Sequence, residues 1–174
     1  DWQTLRKHGG GYLLNWGPHL VDQPLQLHGG RVRSAWGDLK RLINPGDAED
    51  QFTAVLTMDD GALVISEFGV GAAVLPTWVV QGTEGTIVVR DLAIEVHRAA
   101  ARAPGEYRGD ARVEVSREDL GSGHMITMAN RYGDAMVIYP HIARALRGEE
   151  PYAVSLDSAL GLTRVLDAIR RSAA

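Results

Sequence analysis

His19 stands directly behind Gly17-Pro18, with Asn15 four residues before it and Asp22 three residues after. Proline is favoured in the first turn of a helix, where its missing N–H would be unpaired in any case. Gly17-Pro18 therefore reads as a helix start with His19 in its opening turn. The positive end of the helix dipole disfavours an imidazolium there. A neutral imidazole so placed can accept a proton from a hydroxyl group. Asp22 lies on the same helical face and either orients the ring or faces solvent. The Asn15 amide can hydrogen-bond a hydroxyl or the local backbone. Other chemistries fit less well. GGGYLLNWG is followed by no GK[ST], and no G-x-G-x-x-G occurs, so a phosphate loop is not expected. His19 and Asp22 lack a third metal ligand that any spacing fixes (His8 is the nearest), and no metal is expected. There is no G-x-S-x-G elbow. His8, His28, His97, His124 and His141 read as surface or capping residues.

The elements that must hold this segment follow from periodicity. A short helix is expected over 18–27, ended by Gly29-Gly30 and kinked or broken at Pro24. From 31 to 117 the apolar period is two, giving strands over 31–42, 52–58, 63–68, 77–81, 86–90, 92–97 and 112–116. Asp59-Asp60-Gly61 and Gly82-Thr83-Glu84-Gly85 read as hairpin turns, and 100–110 as a loop. The gaps are too short for crossover helices, so antiparallel pairing dominates. After Gly123, Met125, Met128, Tyr132, Met136, Tyr139, Ala143 and Leu146 recur at helical spacing in a helix that ends near Gly148. Ser155 reads as the N-cap of a last helix with Leu162, Val165, Leu166 and Ile169 on its buried face. Asp157 near its start and Arg170-Arg171 near its end suit its dipole. The fold class is α+β: one domain, residues 1–174, with an open, largely antiparallel sheet and helices packed on one face. Alternation puts Val64 and Ile65 on opposite faces. Val32, Phe52, Ala54, Leu56, Val64, Ile65, Trp78, Val80, Ile87, Val89 and Ile94 cannot all lie beneath these helices. The free face is expected to pack on a second copy or another domain, unless it is mixed and solvated.

Composition narrows the function classes. The 174 residues carry 18 basic and 22 acidic side chains, a net charge of -4, which argues against a generic nucleic-acid binder and against anionic membrane. Hydrophobic residues at 45% and charged residues at 23% are those of a globular domain rather than a disordered chain. With no cysteine, disulfides, a thiol nucleophile and thiolate metal sites are excluded. No apolar run approaches the length of about 18 residues that a membrane span needs. The first residues, DWQTLRKHGG, contain no signal core. The expected location is cytoplasmic. The sequence begins without Met, which suggests a fragment or a processed chain.

GGGYLLNWGPHLVDQ (9–23) resembles the G-G-G-x-L-x-D-x-G-x-H-x-x-D signature of the glucose-fructose oxidoreductase / inositol dehydrogenase / MocA family, at the start of that family's second domain. Two further segments resemble it in the same order. Gly82-Thr83-Glu84-Gly85-Thr86-Ile87 is similar to the G-T-x-G-x-[IL] hairpin, and Pro151 with Val154-Ser155 to the P-x-x-V-S start of the closing helix. The resemblance covers essentially the whole chain. It implies two-domain NAD(P)-dependent oxidoreductases that act on sugars, cyclitols and related polyols. An N-terminal Rossmann domain would bind the dinucleotide. The second domain would be an open mixed sheet of the dihydrodipicolinate-reductase-like type, whose free face builds oligomers.

By the resemblance, the catalytic histidine falls on His19, and the acidic position after it on Asp22. The family's Asp falls on Asn15, whose amide can hydrogen-bond a hydroxyl but cannot act as a carboxylate. Trp16 can pack on a sugar face or fill a core or interface position. Tyr107 and Arg108 in the 100–110 loop could reach substrate. The glycine-rich nucleotide loop and the E-K-P segment with its catalytic Lys are absent from the chain. The expectation is therefore a C-terminal substrate-binding and oligomerisation domain. His19 and Asn15 are its catalytic candidates, and Asn15, Trp16, His19 and Asp22 its substrate-binding candidates. NAD or NADP is expected in the full-length protein and none on this chain, which by itself would turn nothing over. Its partners would be its own Rossmann domain, further copies of itself and a sugar-like small molecule. The alternative is a binding or assembly module that kept the fold and lost the chemistry, which the Asn15 substitution favours. A third reading makes His19 only a helix-start residue.

Overall fold

Along the strand Gln51–Met58 every second side chain is buried, and those buried are Phe52, Ala54, Leu56 and Met58. That period-two pattern fixes one face of a sheet toward a core and the other away from it. The computed structural model describes residues 1–71, 75–90, 93–99, 113–119 and 138–173. The chain divides into two compact units, Asp1–Gly71 with Tyr152–Ala174, and Ala72–Pro151.

The first unit opens with two 3-10 turns, Trp2–Thr4 and Arg6–His8, followed by helices α1 (Tyr12–Asn15) and α2 (Gly17–His28). Strands β1 (Val32–Lys40), β2 (Gln51–Met58) and β3 (Leu63–Phe68) come next. They form an antiparallel sheet in the order β1-β2-β3. The chain later returns with the last helix (Leu156–Ser172), which packs on β1 and α2. Leu13, Val21, Phe52, Ala54, Leu56, Met58, Leu166 and Ile169 make the core between sheet and helices. One row across the sheet is small: Gly37 pairs with Ala54, and Ala54 with Ser66. A Cβ on Gly37 would come within 2.5 Å of the Ile169 side chain, so the absence of a side chain there lets the last helix sit close on the sheet. On the opposite face Trp36 pairs with Val55 and Val55 with Ile65, and Ile65 is 64% exposed. Val64 packs against the core, so Val64 and Ile65 do face opposite ways.

The second unit is a hairpin ladder, β4 (Trp78–Gln81), β5 (Gly85–Arg90), β6 (Ala93–Ala99) and β7 (Val113–Asp119), antiparallel in that order, with helix α3 (Ile138–Leu146). Register places Trp78, Val89 and Ile94 in one row and Val80, Ile87 and Val96 in the next on the same face. Among the described residues the strands thus fall into two sheets. The last helix, α4 in chain order, has Ser155 as N-cap, its hydroxyl accepting from Ser158 N–H at 3.0 Å. Leu166 and Ile169 are buried, and Leu162 and Val165 are packed against the core. The Asp59-Asp60-Gly61 turn joins β2 to β3 as its sequence predicts. Residues 125–137 of the expected amphipathic helix and the 100–110 loop lie outside the described residues. In α3 itself Tyr139 and Leu146 are exposed.

Two local expectations are corrected. The first strand does not run to residue 42 but ends at Lys40, because the next amides have another acceptor. The Asp50 carboxylate, 3% exposed, accepts from the backbone N–H groups of Leu42 at 2.6 Å, Ile43 at 2.7 Å and Asn44 at 2.6 Å. The Asn44 amide then fastens the loop by donating to the Ala48 carbonyl at 2.7 Å. The second correction concerns Pro24, where a kink or a break is expected: α2 is not broken but runs on through Pro24, which is buried in its middle. A proline at this position leaves the carbonyl of residue 20 without its helical donor. The Ser66 hydroxyl of β3 takes that place, donating to the Leu20 carbonyl at 3.0 Å.

Burial acts most strongly on Asp50 and pushes its pKa up, but the backbone N–H groups together outweigh it and hold the carboxyl below the ordinary aspartate range. A lowered folded-state value means that the ionised group adds stability above about pH 4 and loses it as pH falls through the folded value. Asp50→Asn is therefore expected to lower stability near neutrality by about 1–3 kcal/mol, since its amide cannot serve all of these donors. The difference from the parent protein should shrink progressively as pH falls from about 4 through the lowered folded-state value, where Asp50 in turn gives up its charge. Urea titrations of both proteins across pH 3–7 check this, and a constant difference would contradict it.

Candidate functional site around His19

The start of the site is set by a buried acid. Glu49, 7% exposed, meets the first turn of α1 twice: its carbonyl accepts from Tyr12 N–H at 3.1 Å and its Oε1 from Leu13 N–H at 3.3 Å. A carboxylate at that position satisfies donors that a helix start cannot use itself. Gly11 must carry the chain past it at φ +118°, and a Cβ there would lie 2.2 Å from Glu49 Oε1. The glycine run is thus packing and turn chemistry. It is followed by a one-turn helix rather than lying between a strand and a long one, and a carboxylate occupies the position a phosphate would need. These residues do not fit a dinucleotide.

α1 passes into α2 through Trp16, which keeps right-handed helical backbone angles, φ -100° and ψ -26°. Leu13 and Val21 are buried on the core side. Asn15 is half-buried, while Trp16 and His19 are exposed. The amides of His19 and Leu20 both donate to the Trp16 carbonyl at 3.0 Å. Pro18 lies in the first turn of α2, as the sequence predicts.

Aromatic side chains join the helix turn to β3. Trp16 stacks on Phe68 with ring centroids 4.8 Å apart and planes 15° from parallel. His19 lies edge-on to Trp16 at 6.2 Å and 62°. Tyr12 meets the other side of this group, edge-on to Phe68 at 5.0 Å. Asp22 is held elsewhere: its Oδ1 accepts from Gln26 Nε2 at 3.2 Å, and the same nitrogen lies 3.2 Å from Ser158 Oγ on α4. The structure therefore brings Asn15, Trp16 and His19 onto one junction and turns Asp22 toward α4. Tyr107 and Arg108 lie outside the described residues.

A cavity of about 220 Å³ opens beside Tyr12, bounded by Gln3, Thr4, Asn44, Pro45 and Asp50 among others; Asn15, Trp16 and His19 do not line it. Among the described residues no group of three or more His, Asp or Glu side chains could hold a metal ion. Nor, among them, is any helix long and apolar enough to cross a membrane. Sequence reasoning missed Glu49, Ser66 and Phe68. Phe68 carried the signal of an apolar strand residue only, and its contact with Trp16 depends on how α2 crosses β3.

The family model described as the GFO/IDH/MocA C-terminal domain matches residues 1–88, the stretch that holds α1, α2 and the whole first sheet. The chain belongs to the GFO/IDH/MocA C-terminal domain family. Among solved structures, it is similar to an NAD-binding protein from Listeria innocua, with 27% identity over 99% of this chain and 48% of that one, at a TM-score of 0.77. An NAD binding oxidoreductase from Klebsiella pneumoniae shares the fold at 20% identity and a TM-score of 0.69, over 99% of this chain and 51% of that one. An oxidoreductase from Agrobacterium radiobacter, solved with NAD+, L-tartaric acid and magnesium, shares it at 20% identity and a TM-score of 0.65, over 92% and 46%. This GFO/IDH/MocA domain spans about half the length of the solved structures it matches. No curated protein matches it.

Proposed function

We propose that this chain is the substrate-binding and oligomerisation half of an NAD(P)-dependent oxidoreductase that acts on a sugar, cyclitol or related polyol. The observation that carries this reading is His19, exposed in the first turn of α2 and edge-on to Trp16, the residue on which, by the resemblance, the family's catalytic histidine falls. A Rossmann domain elsewhere in the full-length protein holds NAD or NADP and supplies the hydride acceptor. The proton is the business of this chain. His19 accepts it from the hydroxyl on the carbon to be oxidised, the O–H bond breaking as the N–H bond forms, and returns it in the reverse direction. Asn15, half-buried one turn earlier, hydrogen-bonds the same or a neighbouring hydroxyl. The exposed part of Trp16 offers a flat apolar surface to a sugar ring. Asp22, one helical turn after His19, would line or support the site from its α4 side. The whole acts in the cytoplasm.

The test is reduction of NAD+ or NADP+ by the full-length protein, with myo-inositol and D-glucose as probes. His19→Ala is expected to lower kcat by roughly 10²- to 10⁴-fold. Unchanged turnover would overturn the assignment. The alternative, a module that kept the fold and lost the chemistry, is favoured by Asn15 in place of the family's carboxylate. A gain of several orders in rate on Asn15→Asp would support it, and a loss would support a retuned active site. Removed from its Rossmann domain, this chain is expected to bind no dinucleotide tightly and to turn nothing over. Calorimetry with NAD+ that detects tight binding would contradict that division.

The open face of the first sheet, with Trp36, Val55 and Ile65 in one row, supports self-association. Sedimentation velocity is expected to show an oligomer that Ile65→Glu weakens. A single monomeric species at all micromolar concentrations would count against it.

A further inference from the structure

Ser66 and Phe68 stand two residues apart on β3, so both point to the helix-bearing face of the sheet. They meet the His19 turn at its two ends. Phe68 lies flat against Trp16, three residues before His19. Ser66 Oγ donates to the carbonyl of Leu20, the residue that follows it. We propose that Ser66 and Phe68 are positioning residues for His19: one fixes the backbone carbonyl next to it, the other fixes the ring that its imidazole rests on. The proposal builds on His19 as the proton-transfer group.

Each half has its own physical necessity. Because Pro24 has no N–H, α2 leaves the Leu20 carbonyl without a helical donor. Ser66, 7% exposed, is the donor that compensates. Without it the peptide after Leu20 is free to tilt toward solvent. Upstream, the His19 amide is anchored on the Trp16 carbonyl at 3.0 Å, so Trp16 and Leu20 bracket the histidine on both sides. Trp16 is 42% exposed, and its described aromatic neighbours are Phe68 and His19 themselves. An indole so exposed keeps one orientation because Phe68 backs it. The His19 ring meets it edge-on, with centroids 6.2 Å apart. β3 thereby sets both the height and the azimuth of the imidazole through Leu20 and Trp16. Proton transfer tolerates little misplacement, and a shift of about 1 Å can cost about 100-fold in rate.

The experiment compares Ser66→Ala, Phe68→Leu, Phe68→Tyr, Pro24→Ala/Ser66→Ala and His19→Ala in the full-length protein. Turnover is read with NAD+ and either myo-inositol or D-glucose, well below each variant's Tm. Ser66→Ala and Phe68→Leu are expected to lower kcat by roughly 10- to 100-fold. KM should change by less than about threefold, since the loss falls on the chemical step. Phe68→Tyr keeps the plate and should keep kcat. Pro24→Ala/Ser66→Ala should recover most of the rate, because the new amide at 24 again donates to Leu20. Spectra of the protein carrying labelled histidine give a readout that needs no substrate. The His19 Cε1–H resonance, displaced by the ring current of Trp16, should move in Phe68→Leu and stay in Phe68→Tyr. Unchanged kcat in both Ser66→Ala and Phe68→Leu, with His19→Ala inactive, would overturn the positioning role. So would an unmoved His19 resonance in Phe68→Leu. Activity that survives His19→Ala defeats the underlying functional reading instead, and the resonance then judges the positioning by itself.

Discussion

Leu20 holds out a carbonyl that its own helix cannot bond, because Pro24 stands where the donor should be. A buried acceptor left without a partner costs about 1–3 kcal/mol. The hydroxyl of Ser66 removes that cost and in doing so ties the middle of α2 to β3 at one height. The sheet is shaped for it. Gly37, Ala54 and Ser66 run across β1, β2 and β3 as a row of small residues on which helices can lie close. On either side of that row the sheet carries bulk, with Leu39, Phe52 and Phe68 in register on one side and Leu56 paired with Val64 on the other. With the last helix over Gly37 and α2 tied to β3, Val21 faces the core and the His19 turn faces out.

Much of this could be read from residue order. The strands of the first unit, the turn at Asp59-Asp60-Gly61, the start of α2 at Gly17-Pro18 and the Ser155 cap follow from local chemistry, in which each residue's neighbours in sequence are its partners in space. The misreadings share one cause. Pro24 predicts a kink or a break because a proline's missing donor is a local fact, whereas Ser66, which replaces that donor, lies 42 residues further on. The strand over 31–42 stops early because Asp50, across a loop, collects the amides of Leu42, Ile43 and Asn44. Asp22 is not among them: its spacing leaves open whether it orients His19 or faces solvent, and in the structure it accepts from Gln26, which in turn lies against Ser158 on the last helix. At the candidate site the residue types of Asn15, Trp16 and His19 were legible. The supports that hold them, Glu49 beneath α1 and Phe68 beneath Trp16, depend on how the helices cross the sheet.

Glycine-rich segments before helices invite a reading as phosphate cradles, and here the local packing argues otherwise. Gly11 is required because Glu49 comes up against it. That acid gives α1 its start while presenting negative charge where a dinucleotide would need the opposite.

The described sheet has β3 at one end of its strand order. The other end, β1, has its Gly37 amide occupied by the Ser172 hydroxyl at 2.8 Å. An outer strand presents a row of main-chain groups to whatever comes alongside. Here that strand is also the one whose side chains cradle the histidine turn. A displacement of this outer strand would therefore be passed to the His19 turn through the Ser66 and Phe68 contacts.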